Sequence, residues 1–168
     1  VGFEESIRMV AEAGFTVLDY NPPIHLDDWE EYLKRDMERF EKNGLRIHQT
    51  HCPFYRYTKY DDIQNVMRDR IYEATVKSGA EFMVVHGDEF NLDLQEYTPE
   101  NAFRYNYDMF APYVEKAEKD GVKIAFENTE GEEYLEYLLK HFASSDYAGF
   151  CIDTGHEMCY NAKRDLIT

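Results

Sequence analysis

The amino-acid sequence predicts an α/β fold in which about five parallel strands alternate with helices. Short apolar runs begin near residues 16, 45, 82, 122 and 149. One helix-length amphipathic stretch separates each run from the next, the repeated βαβ pattern whose right-handed crossovers make neighbouring strands parallel. The runs are apolar nearly throughout instead of alternating, as strands become when helices cover the sheet.

The first helix carries a stripe of Phe3, Ile7, Val10 and Ala11 and closes at Gly14, a residue free to take the left-handed conformation that ends helices. TVLDY, Thr16 to Tyr20, reads as a strand stopped by Asn21, Pro22 and Pro23. Asp27 is placed to cap a second helix with Trp29, Leu33, Met37 and Phe40 inside, and Gly44 ends it. The strand LRIHQTH, Leu45 to His51, comes next, then a third helix built on Ile63, Val66, Met67, Ile71 and Ala74 that stops near Gly79. FMVVH, Phe82 to His86, is the following strand. Thr98 and Pro99 have the chemistry of a cap and first turn for a fourth helix. That helix buries Phe103, Tyr107, Phe110, Val114 and Ala117, and Pro112 within it predicts a kink. Gly121 introduces the strand VKIAFE, Val122 to Glu127. Leu135, Leu138, Leu139 and Phe142 mark a fifth helix, and GFCID, Gly149 to Asp153, is the last strand.

A chain of 168 residues can bury a real core in one domain, and no linker or low-complexity stretch divides it, so residues 1–168 are expected to form a single domain. Acidic residues number 34 against 18 basic, a net charge of -16. A surface that negative repels a phosphate backbone at long range, which argues against nucleic acid and leaves small polar molecules and metal cations. The three cysteines, Cys52, Cys151 and Cys159, form no C-x-x-C pair and suit a reducing compartment better than a disulfide framework. No run of 18 apolar residues is present, and the first residues lack the basic-then-apolar pattern of a signal, so the expectation is a soluble cytoplasmic protein with no membrane partner.

In parallel α/β folds, ligands bind beyond the carboxyl ends of the strands, and the chemically capable residues collect there. Successive strands end at His51, His86, Glu127 and Asp153, with His156 just beyond the last. Imidazole and carboxylate together suit a divalent ion such as Mn, Mg, Co or Zn. Taken singly, each has a plainer reading. A histidine at a strand end is commonly a hydrogen-bonded structural residue, and Asp153 could cap a following helix. Glu127 is the exception, because an acid directly after Val-Lys-Ile-Ala-Phe is costly to bury without a cation or several donors.

Other polar residues point less clearly. His48, inside its strand, is read as packing, His25 as an exposed loop residue, and His141 as a partner for the end of a helix dipole. Tyr55, Tyr57 and Tyr60, with Arg56 and Lys59 between them, fit either a sugar-stacking wall or loop packing. Glu130, Glu132 and Glu133 suit a solvated helix start.

The segments AFENTEG (125–131), CIDTGH (151–156), VVHGD (84–88) and THCPF (50–54) resemble, in matching order, the xylose-isomerase-like TIM-barrel superfamily. That group holds sugar-phosphate isomerases and epimerases, keto-sugar epimerases, inosose dehydratases and endonuclease IV. The resemblance implies a partial (β/α)8 TIM barrel. It implies that Glu127 and Asp153 bind a catalytic divalent metal, that Glu127 moves a substrate proton, and that His156 contacts a substrate oxygen. Glu133, six residues after the metal-binding glutamate, matches a second glutamate that some epimerases direct at a substrate hydroxyl. His51 and His86 match positions that contact the sugar or, in endonuclease IV, bind zinc. Against the family pattern the first strand and strands seven and eight are absent. The expectation is therefore an incomplete barrel, inactive by itself, from a longer protein, with open edges that another chain or copy would cover. The activity implied is a metal-dependent isomerisation or epimerisation of a keto sugar or sugar phosphate through an enediolate. Two alternatives stand beside it: an endonuclease IV-like zinc phosphodiesterase, and a non-catalytic fragment or binding module. Members of the group often pair, which leaves a homo-oligomer open.

Overall fold

A computed structural model describes residues 2–53, 61–87, 99–129 and 132–160. Helices and strands alternate strictly: α1 (Phe3–Glu12), β1 (Val17–Asp19), α2 (Trp29–Lys42), β2 (Arg46–His51), α3 (Asp61–Ser78), β3 (Phe82–His86), α4 (Pro99–Asp120), β4 (Lys123–Glu127), α5 (Glu132–His141), β5 (Ala148–Cys151) and α6 (Thr154–Tyr160). The five predicted strands and the helices between them are all present, an α/β fold with parallel strands. Two compact units divide the chain, the first holding residues 2–53 and 61–83, the second the described residues from 84 onward. Among the described residues no helix is long and apolar enough to cross a membrane.

In the first unit the strand order is β1-β2-β3. β1 runs parallel to β2, with Leu18 opposite Ile47 and a register slip before Asp19 meets Gln49. The Glu81 N–H donates to the His48 carbonyl at 2.9 Å, which brings the chain into β3 beside β2. Trp29, Leu33 and Phe40 of α2 are buried as their spacing requires, while Met37 is only half-buried and Asp36 takes an inner place. Asp36 is buried because it is paired: Arg39 donates to it at 2.9 Å and the Tyr20 hydroxyl donates to its other oxygen. Burial first, then that hydrogen bond to Asp36, raises the Tyr20 phenol and keeps it neutral. Gly44 ends the α2 region at φ 70, where a side chain would strain the backbone.

Two expectations need correction here. The residue at the start of α2 is Asp28, not Asp27, and its carboxylate makes no capping bond; Asp27 is exposed and faces Arg70 at 3.6 Å. In α3, Val66 is 46% exposed, because the buried face is set by Arg68, Ile71, Tyr72 and Thr75. That face is partly polar, with Thr75 bonded to the Ile71 carbonyl and to Thr50 of β2, a pattern that apolar counting does not register. α4 continues as a helix past Pro112.

Cys52, one residue past β2, is 7% exposed. Burial pushes its thiol up to about 12, with the Arg68 charge opposing only in part. The reactive thiolate is therefore about one part in ten thousand at pH 8. Cys159 is exposed. Iodoacetamide at pH 8 is expected to modify Cys159 in the folded protein and to leave Cys52 intact until denaturant is added. Equal labelling of the two would mean that Cys52 is not buried as described.

In the second unit the order is β3-β4-β5, and β4 runs parallel to β5 from Ile124 opposite Ala148 to Glu127 opposite Cys151. The core lies where α4 and α5 cover β4. Phe126 is wholly buried, edge-on to Phe110 at 5.3 Å and stacked on Phe142 at 5.7 Å. Leu138 and Ala117 are fully buried as well. Phe150 of β5 and Ile152 just past it are each 52% exposed, so this edge lacks a covering layer on that side among the described residues.

Candidate functional site

The packing of Phe126 decides where Glu127 points. Side chains alternate across a strand, so a Phe126 committed to α4 and α5 sends Ala125 and Glu127 to the opposite face. Glu127 is nevertheless only 6% exposed. A carboxylate that far from water costs several kcal/mol unless it is paired, which directs attention to what surrounds it. His86, the last residue of β3, supplies one partner: its Nε2 is hydrogen-bonded to Glu127 Oε2. An ionised carboxylate only accepts, so the imidazole carries the proton on that nitrogen.

The other partners come from the turn after β5. Glu127 lies opposite Cys151 in the β4–β5 register, and two residues further on Asp153 stands just before α6. Asp153 Oδ1 accepts from the His156 N–H at 2.7 Å, the side-chain cap of that helix. The glycine between them matters. A Cβ at position 155 would sit 3.0 Å from Asp153 Oδ1, so the Thr-Gly-His sequence lets the carboxylate fold back over its own helix. Capping then aims the His156 ring inward, where Nδ1 meets the Asn128 carbonyl at 2.9 Å. Its ring stands edge-on to His86 with centroids 5.5 Å apart. His156 Nδ1 is 4.0 Å from Glu127 Oε2, beyond hydrogen-bond reach.

Glu127, Asp153 and His156 each bring one ligand atom within 4.8 Å of the others. Two carboxylates and an imidazole form a mixed hard and borderline donor set suited to Mg, Mn, Co or Zn. The carbonyl of Asn128 can only accept, so His156 Nδ1 donates to it. The residues present therefore fit a divalent cation, which the buried charge of Glu127 would welcome.

Of the residues singled out in the sequence, His86, Glu127, Asp153 and His156 come together in the second unit. His51 sits in the first unit at the end of β2, its N–H held by Asn21 Oδ1 at 2.6 Å and its Nδ1 bonded to the Cys52 carbonyl at 2.9 Å. Glu133 is exposed in the first turn of α5 and stands outside the ligand group. His48 packs edge-on against Phe82 at 5.2 Å, His25 is exposed, and His141 stacks on Tyr137 at 3.8 Å at the end of α5. Tyr55, Tyr57, Tyr60 and Glu130 lie outside the described residues. Sequence reasoning missed Asn128 as a site residue. The available signal was its place directly after a buried strand-end acid, where an amide has backbone on both sides to bind.

Comparison with known proteins follows the same lines. A family model described as xylose isomerase-like TIM barrel matches residues 7–167. The uncharacterised protein y4fM of Sinorhizobium fredii is 26% identical over 197 residues, covering 92% of this chain and 60% of its own. A crystal structure of D-psicose 3-epimerase in the presence of D-fructose superposes with a TM-score of 0.68 at 13% identity, over 98% of this chain and 61% of that one. A xylose isomerase-like TIM barrel protein from Mycobacterium smegmatis, in complex with magnesium, gives 0.68 at 16% identity over 94% and 58%. The chain thus spans about three-fifths of the length of the relatives it matches.

Proposed function

Because this chain belongs to the xylose isomerase-like TIM-barrel family, we propose that the protein containing it is a divalent-metal-dependent isomerase or epimerase of a keto sugar or sugar phosphate. The observation that carries the reading is the buried Glu127 carboxylate converging with Asp153 and His156. In this reading residues 1–168 are a single incomplete barrel domain that lacks the first strand and strands seven and eight. The similarity to D-psicose 3-epimerase supports a sugar substrate, and that to the magnesium complex supports a divalent ion. A net charge of -16 favours a small substrate over a nucleic acid.

Glu127 and Asp153 would hold the ion. When bound, it supplies positive charge beside the carbonyl and hydroxyl oxygens of the substrate, lowering the cost of the enediolate. Glu127, only 6% exposed, takes the proton from the carbon next to the carbonyl. His86, donating to Glu127, holds the acceptor oxygen in place and screens its charge. His156 and Glu133 are proposed to orient substrate hydroxyls. Return of a proton to the other face, from an acid other than Glu127, inverts the centre; its return from Glu127 to the neighbouring carbon, with a proton passing between the two oxygens, isomerises the sugar.

The test is exchange of the transferred proton with solvent. The full-length protein, supplied with Mn2+ and a panel of ketohexoses and their phosphates in D2O, should place deuterium on one carbon beside the carbonyl. Chelation with EDTA should stop the exchange and Mn2+ should restore it. Exchange that is indifferent to EDTA, or cleavage of abasic DNA with no exchange on any sugar, would overturn the reading.

A further inference from the structure

Asn128 follows Glu127 directly, and three of its polar atoms reach the rest of the ligand group. Its Oδ1 accepts from the Asp153 N–H at 2.6 Å, while its Nδ2 donates to the Asp153 carbonyl at 2.9 Å. One amide therefore holds both backbone polar groups of the aspartate. Its own N–H donates to the Cys151 carbonyl at 3.3 Å, carrying the β4–β5 ladder one residue beyond Glu127. Its carbonyl accepts from His156 Nδ1 at 2.9 Å. Asn128 is 3% exposed, so water does not stand in for any of these bonds without rearrangement.

We propose that Asn128 is a positioning residue that sets the metal affinity of this site, its amide fixing Asp153 and its carbonyl fixing the His156 ring. The inference rests on the metal-site reading given above. Asparagine is the shortest side chain with a donor and an acceptor in one plane, the pair needed to match the C=O and N–H of a single residue. Aspartate would set an acceptor against the Asp153 carbonyl, and leucine would take the acceptor from the Asp153 N–H and leave its carbonyl with the Glu157 N–H at 3.0 Å. The consequence runs through the ligands. With its backbone clamped, Asp153 gives Oδ1 to the His156 N–H and leaves Oδ2 to a cation. With Nδ1 held by the Asn128 carbonyl, the His156 ring is fixed beside the two carboxylates that would take the ion. Partners of this kind, one step behind the ligands, are worth about 10- to 100-fold in metal affinity.

The experiment measures Mn2+ binding by titration calorimetry in the full-length protein. Asn128→Ala should bind about 10- to 100-fold more weakly than wild type. Ile124→Val, which trims the buried face of the same strand without touching these bonds, should stay within about twofold. A second measurement needs no variant: 15N spectra of the metal-free wild type should show His156 as the Nδ1–H tautomer. Wild-type affinity in Asn128→Ala, or a His156 ring protonated on Nε2 alone, overturns the proposal. Glu127→Gln separates the two levels of inference. If it binds Mn2+ as wild type does, the metal site itself is wrong. If it loses Mn2+ while Asn128→Ala keeps it, only the positioning role fails.

Discussion

Replacing Glu127 with glutamine is expected to lower turnover of the full-length protein by a thousandfold or more, about 4 kcal/mol of transition-state stabilisation. The substitution keeps the shape of the side chain and an oxygen that still accepts from His86 Nε2. In the proposed reaction it removes the negative charge that would bind the cation and the basicity that would take the proton. The folded protein should not suffer, because a neutral amide at a position 6% exposed is less costly to bury than a carboxylate. Metal content, melting temperature and kcat measured together give the diagnostic pattern: metal and activity lost, stability kept or raised. Unchanged activity and metal content would exclude Glu127 from the chemistry.

The neighbouring residue should behave in the opposite way. Phe126→Ala removes a wholly buried ring that meets Phe110 edge-on and Phe142 face to face. Loss of the transfer energy and the cavity left behind should cost about 3–5 kcal/mol. Whole domains are stable by about 5–15 kcal/mol, so this change takes a large share of the total. Urea unfolding of the full-length protein checks it through the midpoint at constant slope. A loss under about 1 kcal/mol would mean that the α4–α5 layer does not close over β4 as described. The contrast between residues 126 and 127 is a direct reading of strand alternation: one side chain holds the helices, the next faces the ligands.

Much of this was legible without coordinates. The order of elements followed from the alternation of apolar runs with helical stripes, since buried parallel strands and amphipathic helices have different periods. The convergence of Glu127, Asp153 and His156 followed from their places at and just past strand ends. Boundaries were less legible. β1 is three residues, shorter than TVLDY, and β5 ends at Cys151, before Asp153. Asp153 therefore caps α6 instead of ending a strand, one of the two roles its sequence allowed. The helix faces with polar members, Asp36 in α2 and Thr75 in α3, escaped a count of apolar residues because their burial depends on partners elsewhere in the first unit.

By itself, the sequence determined the βαβ repeat and the strand ends at which the reactive residues gather, because periodicity and residue chemistry are local properties of the chain. Tertiary structure alone decided how those residues are held. The His86 bond to Glu127 spans 41 residues and the Asn128 clasp on Asp153 spans 25, and no local pattern records which backbone group a side-chain amide will meet once β4 and β5 lie side by side.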